Sequence, residues 1–181
     1  TTDDAPVIVW YSINGVGLKM AYRFGTSYDY DARHIHNCIF VSSTGEWYVT
    51  TGDSSTQIHW VKGTFNEGAG TWTWTFVVNG SDTNQYKCES LQVVDGIFYW
   101  GGDMTNGNNA NGLWHCAIGN EATIGNHVRD FAYIEETSSL LVENDRMLFV
   151  TWNKTAREWD LFIYDRTTKL VKQYFLDLAL D

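Results

Sequence analysis

Two histidines and two aspartates in this sequence have the residue types and spacing that could do chemistry. His34 and His36 are two residues apart, so both imidazoles would face the same side of a β-strand. Such a pair could bind a divalent cation, or act as base and acid on one substrate. Asp53 and Asp103 each follow a glycine, and a carboxylate pair could serve glycoside hydrolysis as acid and base. These four residues are the candidate catalytic residues.

The same residues also have a structural interpretation, which the sequence leaves open. Partly buried imidazoles are commonly hydrogen-bonded members of the scaffold. An aspartate that follows a glycine commonly accepts hydrogen bonds from the amides of a turn. Apart from a divalent cation at His34 and His36, the sequence indicates no cofactor. The isolated residues His59, His115 and His127 receive no role.

The elements that position these residues are short β-strands that recur along the chain. Residues 47–53 (WYVTTGD), 98–103 (FYWGGD) and 148–153 (LFVTWN) are similar and begin about fifty residues apart. Units of roughly 40 to 50 residues that each hold several strands are typical of β-propeller blades. The sequence therefore predicts an all-β fold, a β-propeller made of four-stranded antiparallel blades.

Three full blades and part of a fourth are predicted within a single domain over residues 1–181. The full blades are residues 33–78, 86–131 and 137–176, and the partial blade is residues 7–24. In the first full blade the predicted strands are residues 36–41, 47–51, 58–65 and 71–78, the last of which alternates threonine with tryptophan and phenylalanine. In the second full blade three strands are predicted, at residues 89–94, 97–103 and 113–118. Turn residues mark strand boundaries at 14–15, 95–96 and 144–145. Most closed propellers hold more blades, so we expect either a compact four-sheet ring or a fragment that other chains complete.

This fold predicts a common rim for the candidate residues. Adjacent strands run antiparallel, so the first strand begins where the second strand ends. The rim would also gather six candidate substrate-binding residues: Lys87, Glu89, Trp100, Trp152, Asn153 and Tyr30. The three aromatic residues among them could stack on sugar rings or simply pack the rim. Aromatic residues within the second strands are predicted to be core: Trp47, Tyr48, Phe98, Tyr99 and Phe149.

Composition and charge restrict the partners. A net charge of -10 with 12 Lys and Arg leaves no basic face for phosphate, which argues against nucleic acid. No run of about 18 apolar residues occurs, so no membrane span is predicted. Cys38, Cys88 and Cys116 lack CxxC spacing and lie in apolar segments, so we predict buried free thiols.

Several segments together resemble the BNR or Asp-box β-propellers of the sialidase-like superfamily. They are RHIHN (33–37), TGEWYVTTGD (44–53), IHWVKGTFNEGAGTW (58–72), DGIFYWGGD (95–103) and NGLWHCAI (111–118). Residues 64–72 are similar to the Asp-box turn, with one extra residue and Asn66 in place of the usual aspartate. The Arg-Ile-Pro segment of the family's sialidases is missing, since the single proline is Pro6, so the resemblance does not extend to sialidase chemistry.

The resemblance implies recognition of a glycan or polysaccharide without catalysis, in a protein that is extracellular or lies on a cell or virion surface. Two alternatives stay open. One is a polysaccharide-degrading glycoside hydrolase or lyase that uses the histidines and aspartates of the rim. The other is a structural or interaction propeller, such as a component of a virion or surface assembly.

Overall fold

The fold is built from antiparallel β-sheets. The structure is a computed structural model that describes residues 6–25, 32–52, 55–80, 84–102, 112–132, 136–153 and 158–176. These residues form fourteen β-strands and three short 3₁₀-helices, and no α-helix occurs among them. The predicted all-β, antiparallel fold is therefore confirmed. The chain divides into two compact units, Thr1–Tyr86 and Lys87–Asp181, named here the N-terminal and C-terminal units.

The N-terminal unit consists of a hairpin and a four-stranded sheet. The hairpin pairs β1 (Ile8–Ile13) with β2 (Val16–Arg23). Asn14 and Gly15 join them with φ angles of 56° and 73°, a two-residue turn that matches the twist of hairpin strands. The sheet is a meander of β3 (Asn37–Val41), β4 (Glu46–Thr50), β5 (His59–Asn66) and β6 (Thr71–Asn79). These four strands agree with the predicted ones to within one residue at each end.

The C-terminal unit consists of two four-stranded meanders. The first contains β7 (Cys88–Val94), β8 (Ile97–Gly102), β9 (Gly112–Ala117) and β10 (Val128–Ala132). The second contains β11 (Glu136–Glu143), β12 (Arg146–Asn153), β13 (Glu158–Asp165) and β14 (Val171–Leu176). Each of the three meanders corresponds to one predicted full blade and extends at most one residue beyond its predicted bounds.

The turns before the second strands have the chemistry that the sequence indicates. Asp95 and Gly96 have φ angles of 51° and 76°, and Asn144 has a φ angle of 54°. Asparagine, aspartate and glycine adopt this left-handed conformation at the lowest cost. Turn residues therefore located the boundaries between first and second strands correctly.

The aromatic face of β6 is covered by the hairpin. The threonines at 71, 73 and 75 are exposed, whereas Trp72, Trp74 and Phe76 are half-buried on the opposite face. The Trp74 indole Nε1 donates a hydrogen bond of 2.8 Å to the carbonyl of Ala21 in β2. The Tyr22 ring lies 5.1 Å from the Trp74 ring. The period-two alternation thus supplies the surface on which the hairpin docks.

In the C-terminal unit, the first strands of the two sheets lie side by side. The Leu140 amide of β11 donates to Ser90 Oγ of β7 at 2.9 Å, and Gln92 Nε2 donates to the Leu140 carbonyl at 3.1 Å. Gly101 has no side chain, and a Cβ there would collide with Thr137 of β11. The core between the sheets is formed by Tyr99, Leu113, Leu140, Met147, Phe149, Phe162 and Tyr164.

Three features differ from the sequence predictions. Strand β10 was not predicted, because its register shifts between Arg129 and Phe131 and this shift breaks the regular alternation of side chains. Trp47 is 36% exposed and is not a core residue. Cys38 is exposed, whereas Cys88 and Cys116 are buried free thiols as predicted. In the described part of the chain, no helix has the length and apolar character needed to cross a membrane.

Candidate functional site

The strand ends of the predicted rim are paired within each sheet. Asn37 is opposite Thr50, and the His36 amide donates to the Thr50 carbonyl at 2.9 Å. Cys88 is opposite Gly102 in the second sheet, and Glu136 is opposite Trp152 in the third. Within each sheet, the start of the first strand therefore lies beside the end of the second strand, as predicted.

His34 and His36 lie on the same side of the chain, just before β3. Their imidazoles are stacked, with ring centroids 4.6 Å apart and an angle of 24° between planes. The described residues contain no cluster of three or more His, Cys, Asp and Glu side chains that could hold a metal ion. Asp53 and Asp103 lie outside the described residues. A joint role for these four residues stays a prediction.

The candidate substrate-binding residues have different surroundings. Lys87 and Glu89 are half-buried at the start of β7, where the register shifts between Cys88 and Ser90. Trp152 is half-buried and packs on Trp159, its partner in β13, with ring centroids 4.8 Å apart. The side chain of Asn153, and Tyr30 as a whole, lie outside the described residues.

Trp100 does not have the predicted role of stacking on a sugar. Its side chain is 0% exposed, and its ring meets the His127 ring edge to face at 5.0 Å. A ring that is enclosed on both faces offers no surface to a ligand. The prediction for Trp100 is therefore wrong, because strand β8 is covered along most of its length.

The N-terminal unit contains a groove that the sequence analysis did not identify. It has a volume of about 680 Å³ and lies between the hairpin and the sheet β3–β6. Six aromatic residues line it: Trp10, Tyr11, Trp47, Phe65, Trp72 and Trp74. Its polar lining comes from Ser12, Asn14, Cys38 and Glu67. We call this feature the aromatic groove.

Cross-strand register explains why the groove forms on this face. Trp47 in β4 is opposite Gly63 in β5, and Gly63 is opposite Trp74 in β6. A Cβ at Gly63 would lie 2.6 Å from Cδ2 of Trp74, so the indole occupies the place of the missing side chain. The hairpin binds at the β6 side of the face, and Trp47 stays partly exposed. This is the physical reason that Trp47 is not core.

The wall of the groove is a packed aromatic cluster. The Trp72 ring lies 5.1 Å from both Phe65 and Trp74, and Tyr11 lies 5.5 Å from Trp72. Such contacts hold large rings in fixed orientations. Trp10, which also lines the groove, is 53% exposed. The groove can therefore offer rigid aromatic surfaces to a ligand.

A cluster of charged residues surrounds His115 in the C-terminal unit, near the turn between β13 and β14. The sequence analysis assigned no role to His115. His115 Nδ1 is 2.8 Å from Asp130 Oδ2, and Lys169 Nζ is 3.8 Å from Asp130 Oδ1. Burial alone would raise the pKa of the Asp130 carboxyl, but His115, Tyr164 and Lys169 lower it below its usual value.

The same end of the unit holds another ion pair. Arg166 donates to Asp95 Oδ2 at 2.6 Å, and its guanidinium lies 5.6 Å from the Tyr99 ring centroid. Together the Arg166 and Lys169 pairs connect the β13–β14 turn to the neighbouring sheet. We interpret these ion pairs as structural contacts that hold the two sheets together.

His59 and His127 are also in contact with other groups. His59 stacks on Phe24 at 6.0 Å, and its Nδ1 accepts a hydrogen bond of 3.3 Å from the Gly80 amide. His127 Nε2 bonds to the Glu121 carbonyl at 2.9 Å. The partners of His59 lie far along the chain and leave no local signal in the sequence, so they could not be predicted.

No protein-family model matches the chain, and no curated protein sequence matches it.

Proposed function

We propose that this protein is a β-propeller, or part of one, that binds carbohydrate without transforming it, and that the aromatic groove is the binding site. The observation that carries the proposal is a groove whose described lining includes six aromatic residues and a few polar ones. Sugar rings present C–H faces that pack on aromatic planes, and their hydroxyls need polar partners. Binding sites for small ligands commonly combine an apolar lining with few, well-placed polar groups.

The arrangement of strands supports the propeller part of the proposal. Each full repeat forms a four-stranded meander, and β7 and β11, the first strands of consecutive sheets, lie side by side. Neighbouring propeller blades contact each other in this way around a central axis. The hairpin β1–β2 would be the partial blade.

The resemblance to Asp-box propellers supports the same class of ligand. The segment that is similar to the family's turn, residues 64–72, contains the connection between β5 and β6, where the Ala69 amide donates to Asn66 Oδ1 at 3.0 Å. Asn66 thus does what an aspartate would do in such a turn. A secreted or surface location belongs to this proposal.

The test measures oligosaccharide binding by calorimetry for the wild type, Trp47→Ala and Tyr174→Ala. Trp47 is 36% exposed in the groove, and Tyr174 is 44% exposed in the other unit, so Tyr174 is a matched control. Loss of one stacking ring should weaken binding about tenfold, since about 1.4 kcal/mol corresponds to a factor of ten. Tyr174→Ala should bind as the wild type does. Absence of binding across a broad panel of oligosaccharides would refute the proposal.

The stacked His34–His36 pair favours a second candidate, the hydrolase or lyase. The same samples are therefore analysed for shortened or unsaturated oligosaccharides. If products form and His36→Ala abolishes them with folding intact, catalysis replaces simple recognition. We expect intact oligosaccharide after prolonged incubation.

A further inference from the structure

We infer that the aromatic groove selects uncharged glycans and excludes acidic ones. This inference rests on the proposed function, because it specifies the ligand of the same site. It differs from what a sialidase-like resemblance would suggest, since the ligands of sialidases carry a carboxylate.

The described lining of the groove carries little charge. Among the described residues that line the groove, Glu67 is the single charged one, and it is exposed. The other described polar residues of the lining are neutral, since an ordinary cysteine thiol, with a pKa of about 8.5, is mostly protonated at neutral pH. Recognition of a carboxylate or sulfate normally requires arginine or lysine at hydrogen-bond distance.

The two lysines near the groove, Lys62 and Lys19, do not line it. Lys62 lies between Val61 and Gly63 in β5, so its side chain leaves the opposite face of the sheet. There it pairs with Glu46 at 3.0 Å. Lys19 is opposite Tyr11 in the hairpin and is not among the lining residues. The described part of the lining thus supplies no cation to an acidic sugar.

The chemistry of Glu67 also favours a neutral glycan. An ionised carboxylate can only accept hydrogen bonds, and sugar hydroxyls are donors that suit it. A second carboxylate brought next to Glu67 would instead be repelled, and the net charge of -10 adds repulsion at longer range. The groove is therefore complementary to a neutral glycan.

The experiment compares pairs of β-1,4-linked oligosaccharides of equal length that differ only in oxidation at C6: mannan with mannuronan oligomers, and glucan with glucuronan oligomers. We expect the neutral member of at least one pair to bind about tenfold more tightly than its acidic partner at low salt. The variant Glu67→Lys should raise the affinity for the acidic member about tenfold. It should not raise the affinity for the neutral member, because lysine removes an acceptor for sugar hydroxyls. Glu67→Gln should lie between the two.

The possible failures are distinguishable. Equal or tighter binding of acidic members by the wild type would overturn the inference and leave the proposed function standing. The inference is also wrong if Glu67→Lys leaves the ratio of affinities unchanged, or if acidic members bind and Lys19→Gln abolishes that binding. If no member of any pair binds, both the inference and the proposed function fail. Glu67 lies exposed in the β5–β6 turn, so near-UV circular dichroism suffices to show that its variants fold.

Discussion

His127 shows how burial controls the charge of one side chain. It lies beside Trp100, and its Nε2 bonds to the Glu121 carbonyl at 2.9 Å. Burial lowers the pKa of this imidazole below its usual value, although the hydrogen bond and charge of Glu121 act in the opposite direction. The folded protein therefore favours the neutral form.

A pH dependence of stability follows from this shift. Below an unfolded-state pKa of about 6.5, the unfolded imidazole binds a proton that the folded one resists. The contribution of His127 to stability is thus complete above that pH and is lost as the pH falls through it towards the folded pKa. Its slope is at most about 1.4 kcal/mol per pH unit.

We expect His127→Gln to lose less unfolding free energy than the wild type between about pH 7.5 and 5.5. The glutamine amide can still donate to the Glu121 carbonyl. Urea unfolding at several pH values measures the effect, and His34→Gln, at an exposed position, is the control. Parallel pH profiles for the wild type and His127→Gln would contradict the assignment.

Strand β6 provides two of the contacts on which the hairpin β1–β2 docks. Trp74 in β6 bonds to Ala21, and Trp72 in the same strand packs against Tyr11. The two tryptophans differ in the hydrogen bonding of their indole Nε1. Trp72 Nε1 is buried without a hydrogen-bond partner among the described residues, whereas Trp74 Nε1 has one.

This difference predicts opposite effects of the same substitution. Trp74→Phe should cost about 1 to 3 kcal/mol, because it leaves the Ala21 carbonyl without its donor. Trp72→Phe removes an indole N–H that makes no bond, so it should cost less than Trp74→Phe does. Guanidinium unfolding gives the free energies, and hydrogen exchange of β2 amides reports hairpin release. Equal losses in both variants would show that ring size, and not the hydrogen bond, holds the hairpin.

At the scale of the whole molecule, the hairpin is the one two-stranded sheet beside three four-stranded sheets in the described residues. Its side chains include large apolar groups that are well exposed: Trp10 53%, Ile13 46%, Val16 78%, Leu18 72% and Met20 52%. Exposed apolar strands with free edges favour association. This observation relates to the structural alternative, in which other chains complete the propeller.

We therefore expect the purified protein to associate as its concentration rises. The double substitution Val16→Ser and Leu18→Ser should shift that association to higher concentration, whereas Leu170→Ser, at a position 66% exposed in the C-terminal unit, should not. Sedimentation velocity over a wide concentration range measures this. A monomer at every concentration would indicate that the chain needs no partner.

Local chemistry made most of the strands predictable. Positions of asparagine, aspartate and glycine marked the turns at 14–15, 95–96 and 144–145, and the alternation of threonine with tryptophan identified β6. Sequence alone also placed His34 and His36 on one side, although they lie just before β3 and not in a strand. The side-chain period of a strand is two whatever surrounds it. Strand β10 was missed because its bulge interrupts that period.

What covers each face was decided only by tertiary structure. Trp47 and Tyr48 are adjacent and equally suited to a core, yet Tyr48 is 1% exposed and Trp47 is 36% exposed. The aromatic groove exists because Gly63 lies between two tryptophans in the register of the sheet and because the hairpin docks on β6. The His115–Asp130 pair likewise joins two neighbouring strands. Periodicity and turns act between residues close in the chain, whereas burial depends on which distant segment packs against a face, so the sequence predicted the strands and only the fold defined the site.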